Sequence, residues 1–159
     1  TRCSEGDVLS LEALIVKNAI MEAFEDETGA GDDFEGWKVY DAEDKHKRVF
    51  FPHVVIYTPV STITGRFVGG GRTFQLTATV ELYFTEREKV VVTGVSYQRD
   101  NAVLIVAERA EVILENITFP SNIIEDGVPT TRTMNYVFEA GNSQIYQCSI
   151  DYIMDYVVS

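Results

Sequence analysis

Histidine and cysteine are scarce in this 159-residue chain, with two of each. Cys3 and Cys148 are too few and too far apart for a zinc pattern or a disulfide framework, so both are expected as reduced thiols. Of His46 and His53, the second falls in a predicted strand with no carboxylate two residues to either side. It reads as a polar residue on a sheet face, not as a general base or metal ligand. No G-x-S-x-G elbow frames a serine nucleophile, so a Ser-His-acid set has no local support. Long apolar runs are missing too: none approaches the roughly 20 residues that cross a bilayer. The opening TRCSEGDVLS lacks the basic and apolar regions of a signal peptide. Basic residues are short, 13 Lys and Arg against 25 Asp and Glu, for a net charge of -12. Phosphate neutralisation needs clustered cations, so a general nucleic-acid binder is disfavoured.

Two near-miss motifs fail on context. Gly65 to Thr73 approximates a phosphate-binding loop, but the lysine is absent and the run opens a strand, whereas phosphate cradling uses a helix N-terminus. Aligning Gly36 with the invariant glycine of a calcium loop puts Gly31 first and Ala42 at the position that needs glutamate. No catalytic residue, cofactor or metal site is expected.

What is present is a globular composition, 45% hydrophobic and 24% charged, which suits a single soluble domain over residues 1–159. Asp7 to about Glu25 is predicted helical, with Asp7 or Ser10 as N-cap and an apolar stripe of Leu9, Ala13, Val16, Ile20 and Phe24. Leu11, Leu14 and Met21 fall nearer the opposite side, which either burial in the domain or a subunit contact explains. Thr28 to Asp44 reads as a long acidic loop around Phe34 and Trp37. Asp32, Asp33, Glu35, Asp41, Glu43 and Asp44 are its acidic surface candidates. They form either a solvated surface or one that repels DNA and attracts a basic partner.

Arg48 to Thr58 is predicted as a strand, followed by a glycine-containing connection to Arg72. The clearest signal comes next. Phe74, Leu76, Ala78, Val80, Leu82 and Phe84 alternate with Gln75, Thr77, Thr79, Glu81 and Tyr83, the period of a strand with one buried face. Val90 to Val95 either extends the sheet or belongs to an arm. Asp100 or Asn101 caps a second helix striped by Val103, Ala107, Ala110, Leu114 and Ile117, and Phe119-Pro120 stops it. Thr133–Glu139 and Gln144–Val157 form a closing hairpin around Ala140-Gly141-Asn142. The expected class is α+β: an antiparallel β-sheet with two main helices on one face, plus long loops or arms.

Five stretches carry a family resemblance: LEALIVKNAIMEAF, FPHVVIYTP, RTFQLTATVELYFTE, NAVLIVAERAEVILENI and SQIYQCSIDYIMDY. In pattern and order they resemble the tail-terminator (tail-completion) proteins of tailed bacteriophages. The segments 25–44 and 86–99 depart from the family's outline. The resemblance implies a non-enzymatic virion protein, assembled in the host cytoplasm. It would form a homo-oligomeric ring, usually a hexamer, that caps the head-proximal end of the tail tube. Its partners would be the tail tube protein and the head–tail connector or stopper, with DNA passing through the lumen unbound and no membrane contact. Under that reading Leu11, Leu14, Met21, Arg66 and Phe67 are subunit-interface candidates. The alternatives are another head–tail junction protein, stopper or adaptor, or a small-molecule-binding domain or enzyme of α+β fold.

Overall fold

A computed structural model describes residues 11–44, 50–66, 70–119, 128–140 and 143–158. Cys3, His46, Phe67, the 7–10 start of the first helix, Pro120 and the Gly141-Asn142 turn lie outside them. The elements in chain order are α1 (Leu11–Glu25), β1 (Lys38–Asp41), β2 (His53–Ile56), β3 (Val60–Arg66), β4 (Arg72–Thr85) and β5 (Val90–Val92). They continue with β6 (Val95–Tyr97), α2 (Arg99–Glu115), β7 (Val128–Ala140) and β8 (Ser143–Val158). This is the expected α+β class, with one correction. The sheet is mixed, because β1 runs parallel to β2 while the other pairs are antiparallel.

The sheet is built around β4. Its alternation buries Leu76, Ala78, Val80, Leu82 and Phe84, and β8 matches it along its whole length, from Arg72 opposite Val158 to Thr85 opposite Ile145. That register sets Leu82 beside Cys148, Val80 beside Ile150 and Leu76 beside Met154 on one apolar face. On its other side β4 is paired twice in succession, by β2 near one end and by β3 near the other. With β7 outside β8, the order is β1-β2-β4-β8-β7.

Both helices cover the apolar face. α1 lies over β1, β2 and β4 and buries the predicted stripe of Ala13, Val16, Ile20 and Phe24. α2 lies over β7 and β8 with Val103, Ala107, Ala110 and Leu114 turned inward. Each large apolar side chain removed from water in this layer contributes about 1.5–3 kcal/mol. α2 begins at Arg99, with Gln98 in the N-cap position and no side-chain cap bond, so neither Asp100 nor Asn101 caps it.

Three stretches expected as loops or left open are ordered differently. The 28–44 segment ends in β1. Its first part is folded by turn hydrogen bonds, Phe34 to Glu27 and Gly36 to Thr28 among them. Phe34 and Trp37 are buried in a chain of rings running Phe24, Phe34, Trp37, Phe84, Tyr146, with successive centroids 5.9, 5.1, 6.2 and 5.4 Å apart. The connection after Thr58 is the strand β3, which makes a hairpin with β4. A Cβ at Gly65 would stand 2.7 Å from Thr73 Oγ1, so a larger residue at this irregular point of the register would force the Thr73 side chain to move. Val90–Val95 joins no main strand. It forms most of the separate β5–β6 hairpin, turned by Thr93 and Gly94 at φ 49 and 79, the pair of positive angles that a tight two-residue hairpin uses. The first predicted strand shortens to β2, and β7 begins five residues before Thr133.

Candidate functional site

The sheet face away from the helices carries the polar half of the β4 alternation, and its centre is Glu81. Tyr83 donates its hydroxyl to Glu81 Oε2 at 3.0 Å, and Gln147 Nε2 donates both to that oxygen and, at 2.9 Å, to the Tyr83 hydroxyl. The hydrogen bond from Tyr57 to Glu81, helped by burial and the carboxylate's charge, pushes the Tyr57 phenol up to about 12. Burial first, then the nearby carboxylate, pushes Tyr83 up as well. Two phenols and an amide therefore hold a half-buried carboxylate, and no Lys, Arg or His forms an ion pair with it among the described residues. Further along the face Thr79 donates to Asp151 Oδ1 at 3.0 Å.

Where β2 gives way to β3, this face opens into a cleft of about 550 Å³ beside Glu81. Tyr57 and Val60 supply apolar wall, while Thr77, Thr79 and Ser149 supply hydroxyls. At the other end of β2, His53 is buried and stacked on Tyr83, with centroids 5.0 Å apart, and Phe51 and Tyr40 pack around it. Its Nδ1 lies 3.0 Å from the Phe50 carbonyl oxygen, which can only accept, so Nδ1 carries the proton. Burial lowers the imidazole's pKa, and the backbone bond opposes that in part. The described surroundings of this histidine are aromatic rings and a backbone carbonyl.

A second cavity, about 350 Å³, lies between α1 and α2, lined by Glu22, Asp26, Glu27, Asp33 and Arg109 among others. Arg109 Nε donates to Asp33 Oδ2 at 2.6 Å, which fastens the acidic turn to α2. Among the described residues no group of three His, Cys, Asp or Glu is placed to hold a metal, and no helix is long and apolar enough to cross a membrane.

Compared with known proteins, the chain matches no family model and no curated sequence.

The six acidic candidates fall into two groups. Asp32, Asp33 and Glu35 sit in the turns after α1, where Asp32 accepts from the Gly29 amide and Asp33 pairs with Arg109. Asp41, Glu43 and Asp44 sit at the end of β1. Asp41 lies 2.7 Å from the ammonium of Lys17, and Glu43 accepts from Thr58 at 3.4 Å. Asp33 and Asp41 are thus ion-paired within the chain, and the buried Lys17 uses Asp41 to tie α1 to the sheet. Of the interface candidates, Leu14 is 38% exposed and Met21 packs partly against the core. Leu11 opens α1 and Arg66 closes β3, but the side chains of both, and all of Phe67, lie outside the described residues. The Glu81 cluster was missed because one partner, Gln147, comes from 66 residues away. The only local signal was a carboxylate beside a tyrosine on the polar side of an alternating strand.

Proposed function

We propose that this chain is a non-enzymatic assembly subunit of the tail-terminator type. In this reading it forms a ring, six-fold in the family it resembles, that caps the head-proximal end of the tail tube and joins it to the connector or stopper. The observation that carries the reading concerns two of the three edge strands, β3 and β7, the third being β1. On the outer sides of β3 and β7 no further strand is paired among the described residues. Following the ladders β3–β4–β8–β7, these two edge strands run antiparallel to each other. One subunit's β3 can therefore pair with the next subunit's β7 in head-to-tail fashion, the kind of contact that generates a ring when the rotation closes. The edges are also offset along the strands, since β3 lies beside residues 72–77 of β4 while β7 reaches only as far as Ile153, opposite Thr77. A staggered join is what a closed, tilted sheet needs. Val60 and Ile63, 60% and 47% exposed, make β3 an apolar edge with a tendency to associate. The charge of -12 suits a lumen through which DNA slides without adhering.

The cleft beside Glu81 favours a second reading, a small-ligand-binding domain. Native mass spectrometry over a range of concentration and salt separates the two. A closed ring, alone or with tube protein, supports the terminator reading, and a monomer or dimer that ignores tube protein sinks it. Stopper and terminator are then distinguished by whether the ring halts tube polymerisation.

A further inference from the structure

We propose that the β5–β6 hairpin is an arm that seats in the cavity between α1 and α2 of a neighbouring copy of this chain; the inference rests on the ring reading above. The hairpin pairs with no strand of the main sheet. Its inner side is anchored, since Val90 is buried and Val92 and Tyr97 pack partly against the core. Val91 and Val95, either side of the Thr93–Gly94 turn, are left 52% and 50% exposed. Apolar side chains this close together and bordered by polar ones make a contact surface. The 86–99 segment also carries Arg87, Lys89 and Arg99 against Glu86 and Glu88, a positive excess in a chain of 13 bases and 25 acids. The three bases are exposed and form no ion pair among the described residues. Glu88 is folded back onto the Thr85 amide at 2.7 Å.

The cavity of about 350 Å³ between the helices offers the complement. Ala23, Val112, Ile113 and Ile117 give it apolar wall, and Glu22 and Asp26 line it as exposed acids. Arg109, its basic residue among those described, is already held by Asp33. An apolar tip flanked by cations matches both parts of this lining, whereas an acidic guest would be repelled. The hairpin does not fill the cavity of its own chain, because no residue of 86–99 lines it. Along α2 the cavity begins at Arg109, roughly 15 Å from Arg99, while a three-residue strand spans only about 10 Å. Arm and receptor thus stand toward opposite ends of one helix, the placement that joins copies head to tail.

The test is a charge swap read by native mass spectrometry and sedimentation, with Trp37 fluorescence and circular dichroism confirming folding. The variants are Arg87→Glu/Lys89→Glu, Glu22→Lys/Asp26→Lys, and all four changes on one chain, which keep the net charge of the wild type. All four positions are exposed. Each double variant is expected to weaken subunit association at least tenfold, and the combination to restore it to near the wild-type level. A double variant that assembles normally, or a combination no better than either, overturns the inference and leaves the ring reading intact. A wild type that is monomeric at every concentration, with and without tube protein, removes the ring reading and the inference with it. Should a variant not fold, the wild type alone decides: its association is expected to weaken as salt rises, and association indifferent to salt overturns the inference.

Discussion

Replacing Phe34 with alanine tests whether the acidic 28–44 segment is part of the core. Phe34 is 1% exposed, with its ring edge-on to both Phe24 and Trp37, so it bridges α1 to the end of the turn region. Truncation removes the ring's transfer free energy and leaves a cavity between two neighbours fixed by a helix and a strand. With little room to collapse, the expected loss is about 3–5 kcal/mol. A domain of this size has roughly 5–15 kcal/mol in total, so the variant should unfold at a much lower denaturant midpoint. Trp37 is the only tryptophan and is buried beside the substitution, which makes its emission a local probe. Urea melts followed by this fluorescence and by far-ultraviolet circular dichroism should shift together, because the ring chain connects this segment to Phe84 and Tyr146 in the sheet. Leu104→Ala, at a 62% exposed position on α2, is the control and should change stability by less than about 0.5 kcal/mol. A Phe34→Ala loss below about 1 kcal/mol, or a fluorescence transition well ahead of the dichroism, would refute the reasoning and return 28–44 to the status of a surface loop.

Lys17→Met should cost about 2 kcal/mol, less than a fully buried pair because the Asp41 side chain is 34% exposed; chemical denaturation measures it, and a neutral result would show the pair to be replaceable. Tyr57 holds its proton to about pH 12 when folded, against 10 in the unfolded chain. Stability is thus whole below pH 10 and falls as pH rises from 10 to 12, where the unfolded state alone releases its proton. Glu81→Gln should lower the pH at which the late tyrosine appears in an ultraviolet titration. No change in that titration would mean that the carboxylate does not hold the phenol.

The parts legible from sequence are those where one physical demand dominates. β4 and the second half of β8 alternate because one face is covered by helices, and the α1 and α2 stripes repeat every three or four residues for the same reason. β1 was hidden because four residues in an acid-rich stretch carry no period. Its strand character comes from parallel pairing with β2, at a register the local sequence does not encode. β3 was hidden because VSTITGR lies partly exposed at an edge, where polar and apolar residues are both tolerated and glycine reads as a break. The Glu81 site was least legible of all. Its residues come from the β2–β3 connection, β3, β4 and β8, and only the ladder registers bring them together.

The strand order has a consequence for how the molecule comes into being. β8, the last of the described elements, is not at the margin of the sheet but between β4 and β7, and it covers the whole length of β4. Residues 72–85 therefore wait for partners more than 50 residues downstream, and the apolar layer beneath both helices stays open until 143–158 have been synthesised. Such non-local pairing slows folding and leaves the unfinished chain prone to clumping. On the ribosome, this domain should be a client of chaperones until β8 has emerged.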